Sequence, residues 1–230
     1  AHQPAVKQAT NYQAVFSQGR AEFRREDNDL ETHTEIAVSP EDDVEIRRIR
    51  ITNRSRKRRS IELTSYAEIV LTAPIADVLH PAFSNLFVQT DILPQKNAIV
   101  CTRRPRSAEE QPPWMFHLMK TNSGDVQMVS YETDRMKFIG RGKSIANPLA
   151  MNQEASLSGT EGAVLDPVVS IQYRLMINPM ETVTVDIVYG IGDSREVCDL
   201  LIEKYQDPSF IERAFELSWT HSQMVLRQIN

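Results

Sequence analysis

Four carboxylates in irregular stretches are the residues with the means for acid–base chemistry. Glu132 with Asp134, and Glu161 with Asp166, form the acidic pairs outside regular segments, and cleaving a glycosidic bond needs a positioned general acid. Their separation is not written in the sequence, and solvated or turn-capping roles compete with catalysis. The adjoining run Asp134-Arg135…Gly140-Arg141-Gly142 is the stronger binding candidate. Arginines beside glycines bring charged forks and bare backbone amides up to sugar hydroxyls, carboxylates or phosphate. Asp134, Arg135, Gly140 and Arg141 are therefore the expected substrate contacts. The competing reading is that Asp134 and Arg135 pair with each other inside a loop.

Other motifs carry less. Gly190-Ile191-Gly192-Asp193-Ser194 leads into a helix but lacks the third glycine of a dinucleotide fingerprint, so it reads as a strand-to-helix turn. The five histidines, His2, His33, His80, His117 and His221, show no paired ligand spacing, and neither metal nor cofactor is expected. Ser158-Gly159 and Ser194 lack the strand–turn–helix setting of a nucleophile elbow. Cys101 and Cys198 lie far apart in apolar contexts, which predicts two reduced, buried thiols and a reducing compartment. The net charge of −5 gives no general pull towards nucleic acid or anionic membrane. The basic stretch Arg54 to Arg59 reads as a solvated hairpin tip. No apolar run approaches the ~18 residues of a membrane helix.

The elements that must position these residues are mostly strands. Leu30–Val38 alternates Leu30, Thr32, Thr34, Ile36 and Val38 against Glu31, His33, Glu35 and Ala37, which predicts one face for burial. Val44 to Thr52 changes phase at Arg47-Arg48, as a β-bulge or a sheet covered on both faces would require. Ile61 to Leu71 reads as a third strand beside them. Residues 1 to 15 show little periodicity, Phe16 to Phe23 reads as a short strand broken by Gly19, and Arg24 to Asp29 as a charged turn. Pro74 and Pro81 mark a structured crossover. Leu86 to Asp91 and Asn97 to Thr102 read as paired strands, Arg103 to Pro113 as a loop, and Trp114 to Met119 and Val126 to Tyr131 as further strands. Residues 143 to 162 form a long irregular segment, of the kind that is functional or packed against something.

Val169 to Ile177 and Val183 to Tyr189 read as a hairpin about Asn178-Pro179-Met180-Glu181. Ser194 then caps a helix with Val197, Leu200, Leu201 and Tyr205 on one face. Asp207-Pro208 opens a second, with a stripe of Ile211, Ala214, Phe215, Ser218, Trp219, Ser222 and Leu226. Many strands followed by two helices argue for a sandwich with appended helices and against a parallel βαβ sheet. The chain opens at Ala1-His2-Gln3-Pro4 without Met, which fits removal of the initiator or a piece of a longer polypeptide.

Several motifs, in order, resemble a known domain. They are Glu35-Ile36-Ala37-Val38-Ser39-Pro40-Glu41-Asp42-Asp43-Val44-Glu45-Ile46-Arg47-Arg48, Thr52-Asn53-Arg54-Ser55, Leu63-Thr64-Ser65-Tyr66-Ala67-Glu68 and His80-Pro81-Ala82-Phe83-Ser84. Glu132-Thr133-Asp134-Arg135, Phe138-Ile139-Gly140-Arg141-Gly142, Leu157-Ser158-Gly159-Thr160, Leu165-Asp166-Pro167-Val168 and Ser194-Arg195-Glu196 continue the series. From about Phe16 to the C-terminus the chain resembles the β-sandwich domain of the cyclic β-1,2-glucan synthases. The cellobiose and chitobiose phosphorylases, once grouped as glycosyltransferase family 36, share that domain.

The resemblance implies a mainly-β fold: a large antiparallel β-supersandwich, galactose mutarotase-like, over residues 1–193. It implies a helical linker over 194–230 leading towards an (α/α)6 barrel that lies outside this chain. The family's general acid is an aspartate of that barrel, so no residue here inherits a catalytic role. The implied partners are the barrel and other domains of the same polypeptide, a β-glucan and a second copy in a homodimer. The implied setting is the cytoplasmic side of a bacterial inner membrane, within a larger membrane protein that this part does not itself anchor. A free-standing carbohydrate-binding module, and a small complete enzyme using Glu132, Asp134, Glu161 or Asp166, are the alternatives.

Overall fold

The computed structural model describes residues 7–229 apart from 106, 108, 123 and 153–155. His2 and Arg106 thus lie outside the described residues. In chain order the elements are β1 (Asn11–Ser17), β2 (Arg20–Asp27), β3 (Leu30–Val38), β4 (Val44–Asn53), β5 (Arg59–Thr64) and β6 (Ala67–Glu68). Next come α1 (Pro74–Leu79), α2 (Pro81–Asn85), β7 (Val88–Leu93), β8 (Ala98–Arg103), β9 (Trp114–Thr121), β10 (Asp125–Asp134) and α3 (Arg135–Ile139). Last are β11 (Pro167–Ile177), β12 (Thr182–Gly192), α4 (Arg195–Tyr205) and α5 (Pro208–Ile229). An eight-stranded antiparallel sheet runs β1-β2-β3-β4-β12-β9-β8-β7. A four-stranded one joins β10, β11 and β5, with β6 also on β11.

Three apolar layers hold these parts together. Ile51, Ile99, Met119, Ile171, Tyr173, Leu175, Val183 and Val185 fill the space between the sheets. On the other face of the large sheet, Ile46, Phe116, Leu118 and Val188 pack against Cys198, Ile202 and Tyr205 of α4 and Ile211, Ala214 and Phe215 of α5. A smaller cluster, Phe138, Ile139, Ala150 and Leu157, belongs to the segment that follows α3.

The two-sided cover explains β4. Its register with β3 and β12 runs without a shift, so there is no bulge. Val44 and Ile46 face the helices, while Ile49 and Ile51 face the smaller sheet. The same cover reverses the expectation for β3. Val38 is 60% exposed, whereas Ala37 at 3% and Glu35 at 6% are buried on the α5 side. Of the face expected inside, Leu30 packs against the inter-sheet core. An alternating pattern shows that two faces differ; it does not show which one a later helix will cover.

Other expectations change too. The third strand stops at Thr64, resumes as β6, and belongs to the smaller sheet, opposite β11. The late pair β11 and β12 is no hairpin: β11 lies in the smaller sheet and β12 in the larger. Their connection arches between sheets and is pinned by Asn53, whose Nδ2 donates to the carbonyls of Ile177 and Asn178, each at 3.1 Å. The charged stretch 24–29 is mostly strand, turning at Asn28 and Asp29 with φ of 47° and 62°. The N-terminal stretch, read as aperiodic, already forms β1 from Asn11.

Candidate functional site

The candidate residues sit where β10 ends. A register shift between Glu132 and Asp134 breaks the ladder with β11 and turns the chain into α3. Asp134 caps that helix, its Oδ1 accepting from the Met136 amide at 2.8 Å. Glu132 is 1% exposed. Its Oε1 accepts from the amides of Thr133 and Asp134, each at 3.0 Å, and its Oε2 from the Ser158 amide at 3.2 Å and the Ser158 hydroxyl. This pair of carboxylates does two separate backbone tasks. The other pair is equally occupied: Glu161 accepts from the Ile92 amide at 3.0 Å, and Asp166 from Asn85 Nδ2 at 3.1 Å.

Arg135 turns away from Asp134. Its Nε donates to Glu68 Oε1 at 2.9 Å, its Nη1 reaches Asp166 at 3.3 Å, and its amide donates to the Asp166 carbonyl at 2.9 Å. Tyr66 donates to the same Glu68 oxygen at 2.8 Å. The contact with Glu68 holds the Arg135 guanidinium above its ordinary pKa. Burial alone would raise Glu68, but the Tyr66 hydroxyl and Arg135 outweigh it and hold the carboxyl below its usual range. Burial, then Glu68, pushes the Tyr66 phenol up. The group is thus a fixed ionic knot, with a tyrosine whose proton stays in place across the physiological range.

Gly140 ends α3 at φ +84°, and a Cβ there would stand 2.8 Å from the Leu149 Cβ. That close approach lets the segment after α3 fold back over the smaller sheet. The Gln172 side chain donates to the Ala150 carbonyl at 3.2 Å and the Leu157 amide to the Ser130 hydroxyl at 3.2 Å, so polar strand residues carry this cover. Arg141 lies just past the turn and is exposed, as are Met136 and Lys137. Arg135 and Asp134 are thus both engaged within the chain, while their neighbours face outward. Tyr66, Glu68 and Asn85, absent from the sequence-based set, complete the knot. Reading the third strand through to Leu71 hid the first two, because it placed Tyr66 and Glu68 on an ordinary polar face.

Next to the knot, α1 buries none of its residues. Ile75, Val78, Leu79 and Phe83 are exposed on the crossover that ends at Asn85, and Leu86 just after it. This end of the molecule offers fixed charge beside uncovered apolar surface, which suits a docking partner or a sugar ring with polar rim and apolar face.

The remaining motifs have structural duties. Gly190 and Gly192 lie in β12, and Ser194 caps α4 through the Val197 amide at 3.3 Å. His117, fully buried, stacks on Tyr189 at 4.5 Å and meets Ser65 Oγ at 2.7 Å, and burial lowers its pKa to about 3. Cys101 and Cys198 are free and buried, and burial raises both thiols. His33, Glu22 and Glu35 bring their ligand atoms within 4.8 Å of one another. However, Glu35 is paired with Arg20 at 2.7 Å and with Arg50, and Arg24 stands 3.6 Å from Glu22. Three guanidiniums supply the positive charge a cation would bring.

Two facing antiparallel sheets of unequal size, with helices on the outer face of the larger, define a β-supersandwich. The chain belongs to the glycosyl hydrolase 94 supersandwich domain family, whose sequence profile matches residues 1–208. It is 35% identical over 214 residues to the cyclic beta-(1,2)-glucan synthase NdvB of Rhizobium meliloti (strain 1021), covering 93% of this chain and 8% of that protein. It is 28% identical over 182 residues to solabiose phosphorylase of Paenibacillus borealis, covering 78% of this chain and 22% of the other. A solved putative kojibiose phosphorylase from the human microbiome shares the fold, with a TM-score of 0.51 and 10% identity over 94% of this chain and 25% of its own. The chain thus spans a small share of each relative's length. Among the described residues no helix is long and apolar enough to cross a membrane.

Proposed function

We propose that this chain is a non-catalytic supersandwich domain of a cyclic β-1,2-glucan synthase, supporting a catalytic barrel elsewhere in the same polypeptide. In this reading residues 1–193 form the sandwich and residues 194–230 the linker towards the barrel. The exposed arc around Arg141, beside the Asp134–Arg135 knot and Gly140, borders the glucan path. The domain also helps form a homodimer, and the whole works on the cytoplasmic side of a bacterial inner membrane.

The observation that carries the reading is the 35% identity along 93% of the chain to the glucan synthase. Two structural facts support it. Each of the four candidate acids already accepts hydrogen bonds from its own partners within the chain. The helices also leave Leu200, Trp219 and Met224 more than half exposed, the face a larger protein would cover.

Titrating linear β-1,2-glucan into the purified chain tests the carbohydrate part. Binding that Arg141→Ala abolishes, with the melting temperature unchanged, is the expected result. Turnover of the glucan by the isolated chain, lost on changing any one of the four acids, would overturn the non-catalytic reading.

A further inference from the structure

The large sheet ends in two unlike edges. At β7, Thr90 and Gly162 exchange backbone hydrogen bonds at 3.0 and 2.8 Å, and Glu161 takes the Ile92 amide at 3.0 Å, so a loop guards that side. At the opposite side, all seven residues of β1 are exposed and none is charged. Among the described residues no strand pairs with β1 beyond β2. Long uncharged edges without proline invite another strand, and proteins usually blunt them.

The ladder fixes which backbone groups point outward. Ser17 pairs with Arg20 across the two-residue turn Gln18-Gly19, and such a turn closes on a hydrogen-bonded pair. Alternation then directs the backbone groups of Val15 and Gln13 to β2 and those of Ala14 and Phe16 away from it. The turn at Asn28-Asp29 gives β2 the matching parity towards β3, with Asp27 opposite Leu30.

We propose that β1 pairs antiparallel with β1 of a second copy of this chain, about a two-fold axis at Ala14. About that residue the aromatic positions and the polar ends of the strand correspond, while its immediate neighbours differ. Gln13 and Val15 flank it, Tyr12 and Phe16 follow, and Asn11 and Ser17 close the ends. An isologous interface uses the same edge of both copies, so each contact across it occurs twice. The register sets Ala14 opposite Ala14, and Tyr12 opposite Phe16 of the partner subunit, an aromatic cross-strand pair. Phe16 is 76% exposed and already stands edge-on to Phe23 at 5.9 Å. Gly19, at φ +72° with a Cβ position 2.6 Å from the Ser218 carbonyl oxygen, seats the hairpin against α5 and holds the edge in place. This assignment gives a surface to the homodimer proposed above and rests on that part of the reading, independently of any carbohydrate.

Sedimentation velocity on the chain, over a range of concentrations, tests it. The wild type is expected to run as a dimer. Ala14→Lys and Ala14→Glu, at an exposed position, each set like charges face to face on the axis and should halve the mass while circular dichroism stays unchanged. Mixing the two variants should restore the dimer, because opposite charges then meet at position 14. If both variants stay dimeric like the wild type, edge pairing is wrong while the homodimer stands. If the variants are monomeric and their mixture is too, the register about Ala14 is wrong. A wild type that is monomeric throughout overturns both the edge pairing and the homodimer.

Discussion

Both sheets have their outer faces covered, and the two covers are built by opposite means. Over the large sheet, α4 and α5 lay down Cys198, Ile202, Ile211, Ala214 and Phe215 against Ile46, Phe116 and Leu118. Ion pairs fasten them as well, among them Arg48 to Asp186 at 2.8 Å and onward to Glu212 of α5, and Arg195 of α4 to Asp91 of β7 at 2.5 Å. Over the small sheet, a segment almost without regular structure is tied down by Glu132, Ser130 and Gln172, with a few apolar residues beneath. A helix satisfies its own backbone and can be held by side-chain burial alone. An irregular cover must find partners for its amides, so the strand below it supplies polar groups that end up buried.

This contrast can be broken from either side. The largest effect is expected from Phe215→Ala, which empties the helix-side core and should cost about 3–5 kcal/mol in a urea unfolding curve. A loss below about 1 kcal/mol would mean that α5 is not held by apolar burial. Glu132→Ala removes the acceptor for three amides and a hydroxyl, and should cost about 2–4 kcal/mol. Amide exchange around residues 156–160 should rise in that variant while α5 stays protected. Equal exchange in both covers would undo the distinction drawn here.

His117 lies between the two sheets and should act on both covers together. Its folded pKa, near 3, is depressed below the ordinary 6.5. The unfolded chain therefore gains a proton as pH falls through about 6.5, and the folded chain does not until about 3. Stability should decline over that window by up to about 1.4 kcal/mol per pH unit from this group. His117→Gln should flatten that part of the pH profile; an unchanged profile would assign the decline to other groups.

Two smaller effects sharpen the comparison. Gly140→Ala places a methyl against Leu149 at positive φ, and should cost about 1–2 kcal/mol, read in the melting temperature. Trp219→Ser, on the outer face of α5 at 56% exposure, should change stability by less than about 0.5 kcal/mol. A large loss there would show that this face is covered within the isolated chain.

Much of the frame was legible in the residues. The strands of Leu30–Val38, Val44–Asn53 and Trp114–Thr121, both C-terminal helices and the Ser194 cap follow from periodicity and capping chemistry. The long motifs carried the family. What misled was pairing. Asn178-Pro179-Met180-Glu181 has the composition of a hairpin turn, yet Asn53 holds it as an arch between sheets. The site was legible only in outline. Asp134 to Gly142 stood out by composition, but that Arg135 would choose Glu68 and Asp166 over Asp134 depended on where β6 and the start of β11 converge.

By itself, then, the sequence determined the kinds of element, their order and the family, because alternation, helical period and caps act between residues a few positions apart. The tertiary structure alone decided which sheet each strand joined, which face of β3 became the inner one, and that Glu132 is buried as a fastening for the segment after α3. Those outcomes depend on contacts between residues distant in the chain, and a strand's own pattern is the same whichever neighbour it meets.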